Sequence, residues 1–264
     1  MKNLFIAFAC ILVITSCKTE NDSPSIEVPS TEAKISAMDT SRYPESLLDV
    51  INAHGGLQNW KEMKSLTYNM DDQSTITDLK SRDIKVETPD YSIGSIDGKV
   101  WIAQDSTYFP KERARFYHNL MFYFYAMPFL LADDGIVYSD AAPLEKGDLV
   151  YPGIKIGYEA NVGDAPDDNY IMYYHPETKK MEWLAYTVTY GQGKKSNQYS
   201  YIKYNKWQEV NDLLLPEELM WYNVENNRPT TAKGNSRVFS KVDIDRGGLD
   251  KRTFAIPANG IYVD

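Results

Sequence analysis

The side chains best suited to acid–base or metal chemistry in this sequence are three histidines: His54, His118 and His175. A metal-binding histidine usually has a second histidine or a carboxylate at a matching spacing, as in the H-E-x-x-H pattern of zinc sites. None of the three has such a neighbour. His54 precedes Gly55-Gly56, where a polar helix cap is expected, and His175 precedes a proline in a turn. His118 faces either a cavity or solvent. Because none of the three has a second ligand at a matching spacing, the histidines predict no metal centre.

Three other motifs match only part of a known catalytic or binding pattern. Gly94-Ser95 lacks the remainder of a G-x-S-x-G nucleophile elbow. The run 191–196 contains glycines, lysines and a serine without the glycine spacing of a phosphate loop. Asp164, Asp167 and Asp168 crowd one loop without the twelve-residue calcium pattern, so a solvated acidic turn is favoured. The sequence therefore predicts a protein that is not an enzyme and uses no cofactor.

The composition limits the partners and favours β-structure. Aromatic residues make up 13% of the chain, and 20 of them are tyrosines, which are enriched in strands. The formal charge is −9, from 28 basic and 37 acidic residues, and the longest basic cluster is Lys194-Lys195. An acidic protein without a basic patch is repelled by nucleic acid, which we therefore exclude as a partner.

The first residues predict export and a lipid anchor. Lys2 precedes an apolar run of about 11 residues, which is too short for a bilayer span of about 20. Ile14-Thr-Ser-Cys17 resembles the bacterial lipobox, in which the cysteine is acylated and the peptide is cut before it. This resemblance implies a signal peptide over residues 1–16, a lipidated Cys17 and an anchor in a Gram-negative envelope. Lys18 favours the outer membrane.

The rest of the chain divides into a tether and one domain. Residues 17–40 hold the lipidated cysteine and a stretch rich in Ser, Thr, Glu, Asp and Pro, typical of a flexible tether. Residues 41–264 are expected to form one domain. Because cleavage removes Cys10, this domain has no disulfide and no cysteine ligand.

Period-two patterns predict that the domain is mainly β. Two short helices come first, one from Glu45 stopped by Gly55-Gly56, and one over 57–63. Strands are predicted around 84–88, 97–104, 154–162, 169–175, 184–190, 198–206, 217–224 and 236–245. Residues 112–132 instead follow helical spacing, with Pro128 expected to kink or split the segment. We refer to residues 112–132 as the aromatic segment.

Several motifs resemble a known group of proteins. They are Ala53-His-Gly-Gly-Leu57 with Trp60, Tyr173-Tyr-His-Pro-Glu-Thr178, Leu213-Leu-Leu-Pro-Glu-Glu-Leu219 and a late Asp250…Phe254…Pro257. With the lipobox and the single aromatic segment, this order resembles the LolA/LolB-like bacterial lipoprotein domains, within an uncharacterised lipoprotein family. The resemblance covers residues 44–258. It implies an α+β fold, with a strongly curved antiparallel sheet, an unclosed β-barrel, whose concave face is covered by helices.

This fold leads to three hypotheses about function. The first is a non-catalytic envelope protein that binds an apolar or amphipathic ligand, such as a lipid acyl chain, in the half-barrel. The residues expected to line the cavity are Phe116, Leu120, Tyr123, Phe124, Met127 and Leu130. An alternative is that the segment and the sheet close into a dry core, and the chain is a scaffold or sensor for another envelope protein. An enzyme, the third hypothesis, requires a histidine to meet carboxylates in a cleft.

Overall fold

The computed structural model of this chain describes residues 39–159, 168–189 and 196–263. The predicted signal peptide, Cys17 and nearly all of the tether lie outside these ranges. So do the end of the strand predicted at 154–162, part of the acidic loop and most of the run 191–196.

Short helices occur in three parts of the described chain. The α-helices are α1 Glu45–Ala53, α2 Leu57–Glu62, α3 Ala114–Tyr117 and α4 Leu120–Tyr125, and the 3₁₀ helices are η1 Lys111–Arg113, η2 Phe129–Ala132 and η3 Lys251–Phe254. Of the helices in the described ranges, none combines the length and the apolar character needed to span a bilayer.

The strands form one antiparallel sheet. Their bounds are β1 Ser65–Met70, β2 Gln73–Asp78, β3 Ile84–Glu87, β4 Tyr91–Ile96, β5 Lys99–Gln104, β6 Ile136–Lys146, β7 Leu149–Tyr158, β8 Tyr170–Tyr174, β9 Met181–Tyr186, β10 Ser200–Val210, β11 Leu213–Glu225, β12 Arg228–Ala232, β13 Arg237–Asp245 and β14 Gly260–Val263. The order is β14-β5-β4-β3-β2-β1-β13-β11-β10-β9-β8-β7-β6, with β12 paired to β11. Two meanders, β1–β5 and β6–β11, are joined by β13, which pairs with β1 and β11.

The sheet is open, because β14 and β6 stand at opposite ends of the strand order and no pairing within the described ranges joins them. This arrangement confirms the predicted unclosed antiparallel sheet. It also leaves two sheet edges, one of them the eleven-residue strand β6.

The two faces of the sheet carry separate hydrophobic clusters. In β9, Leu184 belongs to the main core beneath the helices, whereas Trp183 and Ala185 belong to a second cluster on the opposite face. Successive side chains of a strand point to opposite faces, which explains the division. We call the face that carries α1, α2 and α4 the inner face, and the other the outer face.

The first helix ends as its sequence predicts. Leu47, Val50 and Ile51 are fully buried on one side of α1, and the chain turns at Gly55, whose φ is +104°. A Cβ atom at Gly55 would lie 3.0 Å from Leu213 Cα, so glycine also permits the close approach of the β10–β11 turn.

The aromatic segment is more broken than its helical spacing predicts. A kink or split was expected only at Pro128, and the segment forms η1, α3, α4 and η2 in succession. Pro128 follows α4 and precedes η2, and it has no backbone N–H with which to continue the helix. The segment packs on the inner face, where Tyr125 stacks on Tyr68 of β1 at 4.4 Å between ring centroids.

Candidate ligand site on the inner face

The six residues predicted to line a cavity divide between the interior and the surface. The exposed fractions of Phe124, Met127 and Leu130 are 5%, 1% and 4%, and all three belong to the main core. Phe116 and Leu120 are half-buried, and Tyr123 is 42% exposed. None of the six lines the cleft between α2 and η2, the groove beside β6 or the groove at the β11–β12 hairpin. Their role as ligand contacts therefore stays a prediction.

Among these six residues, Phe124 shows most clearly how the aromatic segment contacts the sheet. Its ring lies 5.0 Å from that of Tyr186 and 5.8 Å from that of Trp221. Its carbonyl cannot accept a helical hydrogen bond from residue 128, which is proline, and instead accepts one from the hydroxyl of Tyr204 at 2.7 Å. The end of α4 is thus fixed to strands β9, β10 and β11.

Beside Phe124, half-buried aromatic residues from four strands form a row on the inner face. Trp221 Nε1 donates a hydrogen bond to the Tyr186 hydroxyl at 2.9 Å. The Tyr186 ring lies 6.5 Å from that of Tyr170, which lies 6.0 Å from that of Tyr158. All four are half-buried, and we call them the aromatic ladder. A row of partly exposed rings offers an apolar surface with polar tips.

Burial also determines the protonation state of the ladder tyrosines. It raises the pKa of Tyr158 and of Tyr170 well above the ordinary value, and the neighbouring acidic groups act in the same direction. The phenols are therefore neutral at physiological pH. For Tyr158, the acidic groups that raise the pKa further include the Asp133 and Asp168 carboxylates.

Sequence patterns indicated only part of this row. Tyr158 and Tyr186 stand in alternating strands on the same face as Ile156 and Leu184, so the inward side could be predicted for both. That Tyr170 and Tyr186 are direct neighbours depends on the β8–β9 register, and Trp221 comes from a distant strand.

A second feature is a cleft of about 290 Å³ between α2, η2 and the β2–β3 turn. We call it the α2–η2 cleft. Its lining residues are Leu57, Trp60, Lys61, Met63, Leu79, Lys80, Arg82, Phe129, Ala132 and Asp133. The Trp60 and Phe129 rings stack at 4.7 Å with an interplanar angle of 6°. The cleft thus combines apolar and aromatic side chains with basic ones.

An ion pair connects the cleft with the aromatic segment. Arg82 donates to both carboxylate oxygens of Asp133, at 3.0 and 2.8 Å, and its guanidinium lies 5.5 Å from the Phe122 ring centroid. Burial raises the pKa of Asp133, and the charge of Arg82 opposes this rise. The pair is about 40% exposed on each side, so it remains open to a polar ligand group. No pattern in the sequence indicates this ion pair, because its partners lie on separate elements.

The three histidines are each held by nearby backbone. His54 Nδ1 lies 2.8 Å from the Val50 carbonyl oxygen, and His118 Nδ1 contacts the Arg115 carbonyl oxygen. His175 Nδ1 accepts hydrogen bonds from the backbone N–H groups of residues 177 and 178, as expected for a turn. Within the described ranges, no group of three or more His, Cys, Asp or Glu side chains could hold a metal ion.

The chain is similar in shape to solved structures with very different sequences. One is a LolA superfamily protein from Nitrosomonas europaea, at 7% identity and a TM-score of 0.43, with 72% of this chain and 87% of that chain covered. Another is a DUF1329 family protein from Desulfovibrio piger, at 8% identity and a TM-score of 0.44, with 78% and 98% covered. The LolA superfamily is the group that the sequence motifs resemble.

Comparison by sequence gives a narrower result. No curated protein matches the chain. A model of the family of unknown function DUF6503 matches residues 95–231, more than half of the sequence. The match bears out the prediction of an uncharacterised family, and this chain belongs to the family of unknown function DUF6503.

Proposed function

We propose that this chain is a lipid-anchored envelope protein that binds an apolar or amphipathic ligand on its inner face and performs no catalysis. The observation that carries the proposal is the aromatic ladder, four half-buried rings beside the end of α4. An acyl chain is the ligand class that fits best. The binding residues would be those of the ladder together with Tyr123 and Phe124.

The energetic argument concerns the partly exposed rings. Aromatic side chains normally bury most of their large surface, and these four retain contact with solvent on a face that otherwise forms the core. An acyl chain lying along them would gain about 0.8 kcal/mol for each buried methylene. Covering the Trp221 and Tyr186 rings would leave the hydrogen bond between Trp221 Nε1 and the Tyr186 hydroxyl in place.

The nearby charges favour a ligand with a polar head. Arg82 and Asp133 form a half-exposed pair next to the aromatic segment, and Lys61 and Lys80 line the same α2–η2 cleft. A ligand with its chain on the ladder and its head at this cleft would satisfy both parts of the site. The charged groups of the cleft support an amphipathic lipid more than a pure hydrocarbon.

We also propose that the protein performs no catalysis. Each histidine is engaged by its own local backbone, and the ladder residues are aromatic groups whose phenols stay neutral. Such side chains bind by shape and hydrophobic contact rather than by proton transfer.

The proposed location rests on the lipobox and the tether. Two or three acyl chains on Cys17 would hold the protein at the membrane, since each buried methylene contributes about 0.8 kcal/mol. We place the anchor in the outer membrane of a Gram-negative bacterium, with the domain beside the membrane on about 23 tether residues that reach roughly 25–30 Å.

The test is native mass spectrometry of residues 41–264 purified from a bacterial host, with lipid extraction of the same sample. We expect a bound lipid mass, or uptake of added cis-parinaric acid, a fluorescent fatty acid. Tyr170→Ala should weaken this uptake. Tyr262→Ala is the matched control, because Tyr262 is 53% exposed on β14, far along the strand order from the ladder.

Circular dichroism and thermal unfolding would establish that both variants are folded. The proposal fails if the protein carries no lipid and takes up no fatty acid. It also fails if the two tyrosine variants take up the probe equally, because binding would then not depend on the ladder.

A second candidate is recognition of another envelope protein through the edge strand β6. Val137 of β6 and Val150 of the neighbouring β7 are each 53% exposed. Val150 lines a groove of about 610 Å³ together with Tyr138 and Pro143. An exposed sheet edge with apolar side chains can add a partner strand. Crosslinking in intact cells from Val137, replaced by a photoreactive amino acid, would detect such a partner.

A further inference from the structure

A groove of different character lies at the opposite end of β11 from α1. It has a volume of about 1080 Å³ and lies between the start of β10 and the β11–β12 hairpin. Of the fifteen described residues that line it, nine are Asn, Gln, Ser or Thr. Only two are charged, Glu225 and Lys233, and their charges are opposite. The described lining is therefore polar and close to neutral.

Some of the amide side chains in this lining form hydrogen bonds that hold the groove together. Asn227 Oδ1 accepts from the backbone N–H of Tyr199 at 2.8 Å, and Asn227 Nδ2 donates to the Asn197 carbonyl at 3.0 Å. Across the hairpin, Asn223 Nδ2 donates to Thr231 Oγ1 at 3.1 Å. These bonds join the start of β10 to the hairpin, so the groove does not depend on one strand alone.

Other amides remain available to a ligand. The side chains of Gln198 and Asn226 line the groove, are exposed, and make no hydrogen bond within the described parts of the chain. An amide offers two N–H donors and an acceptor oxygen on one planar group. It therefore matches a ligand whose groups both donate and accept.

Two tyrosines add apolar surface to the groove. Tyr199 and Tyr222 are half-buried and pack against the outer-face cluster. The Tyr222 ring is held edge-to-face by Trp183 at 4.8 Å and has Lys146 Nζ at 5.7 Å from its centroid. Tyrosine side chains of this kind supply a rigid flat surface at little cost in conformational entropy.

We propose that this groove binds a neutral saccharide. Sugar hydroxyls both donate and accept hydrogen bonds, as the free amides do, and the C–H face of a sugar ring packs on an aromatic ring. An anionic ligand would call for a surplus of Lys or Arg, and a lipid would call for a mainly apolar lining. Among the described residues that line the groove, neither feature is found.

The size of the groove favours several sugar units. Small-molecule pockets span about 300–1,000 Å³, and this groove, at about 1080 Å³, lies just above that range. We therefore expect an oligosaccharide, either free or as part of a surface polysaccharide. The site is separate from the aromatic ladder, so this proposal does not depend on lipid binding.

The test uses the full chain, purified in a zwitterionic, sugar-free detergent. Isothermal titration calorimetry would measure binding of maltotetraose, cellotetraose, chitotetraose and isomaltotetraose, and affinity electrophoresis in gels containing the matching polysaccharides would distinguish free from polymeric ligands. We expect binding of at least one neutral series. Absence of binding by all four, in both formats, would overturn the proposal.

Variants locate the binding. Gln198→Ala combined with Asn226→Gly removes two amides, and glycine preserves the positive φ of +50° at residue 226. The loss of two hydrogen bonds should weaken binding about tenfold. The matched control is Asp212→Gly, in the turn at the other end of β11, where φ is +62°. Equal affinity of the double variant and the control would overturn the proposal.

Discussion

His54 is expected to make the fold sensitive to mild acid. Its ring is fully buried at the end of α1, 4.4 Å from the Trp207 ring in an edge-to-face contact. Nδ1 contacts the Val50 carbonyl oxygen, which places the proton of the neutral ring on Nδ1, and Nε2 has no hydrogen-bond partner among the described residues. Protonation would put a charge on Nε2 in apolar surroundings.

Burial lowers the pKa of His54 from 6.5 to about 4, and the weaker hydrogen bond to Val50 opposes this change. The position at a helix C-terminus would by itself favour the cation by about 0.3–1 kcal/mol, so burial is the larger effect. Because the folded pKa lies below the unfolded one, the unfolded chain binds more protons in acid. The stabilisation is complete above pH 6.5 and is lost as the pH falls toward 4.

The size of this loss of stability follows from the pKa of 6.5 in the unfolded chain and of about 4 in the folded chain. Between pH 7.5 and pH 5, His54 alone should lower the free energy of unfolding by about 2 kcal/mol. Urea denaturation followed by tryptophan fluorescence would measure this loss at both pH values. Other groups also titrate in this range. The quantity to compare is therefore the loss of unfolding free energy between pH 7.5 and pH 5 in the wild type and in His54→Leu.

His54→Leu should lose about 2 kcal/mol less than the wild type over this pH interval, whatever its stability at pH 7.5. Equal losses in the two proteins would refute the reasoning, because His54 would then titrate alike in the folded and unfolded states.

Two further predictions concern packing and buried hydrogen bonds. Gly94→Ala should cost about 1–3 kcal/mol in urea denaturation, since its Cβ would lie 2.7 Å from Cε2 of Trp101, a fully buried ring. Tyr204→Phe should cost about 1–3 kcal/mol, because it leaves the Phe124 carbonyl without its donor. Tyr125→Phe should be neutral or stabilising, because its hydroxyl is buried with no partner among the described residues.

The controls for these variants make the same substitution elsewhere in the fold. Gly157→Ala adds a methyl group where no heavy atom lies within 4 Å, so it should change stability far less than Gly94→Ala. Tyr125→Phe is itself the control for Tyr204→Phe. If both tyrosine variants cost the same, the hydrogen bond to Phe124 contributes nothing specific.

The strands that could be predicted are those that alternate between apolar and polar residues. Ile154 and Ile156 mark β7, and Leu184 marks β9, because each faces the main core while its neighbours face outward. The sequence did not reveal β2, where Thr75 and Thr77 are buried although their type suggests exposure. Hydroxyl-bearing β-branched residues fit a pleated sheet, but they weaken a pattern based on hydrophobicity.

The edge strand β6 was also missed, for a different reason. Most of its eleven residues are exposed or half-buried, so it carries little alternation. The aromatic segment was predicted to pack on the sheet, and it does, yet its division into short helices depends on contacts such as that of Tyr204 with Phe124. Helical spacing alone contains no information about these contacts.

The candidate site was predictable in part. Phe124 was among the predicted ligand contacts, and it lies beside the aromatic ladder. The ladder itself could not be predicted, because Tyr170 and Trp221 become neighbours of the other rings only through strand order and register. Proximity across a sheet is set by pairing, which spacing along the chain does not encode.

The central claim is that an acyl chain lies along the aromatic ladder. The most direct test is photolabelling with a palmitate analogue that carries a diazirine near its chain end, followed by peptide mapping. We predict labels in the peptides that contain Tyr123, Tyr170, Tyr186 and Trp221, and competition by unlabelled palmitate. Labels confined to exposed edges such as Val137 or Ile261, or labelling without competition, would contradict the claim.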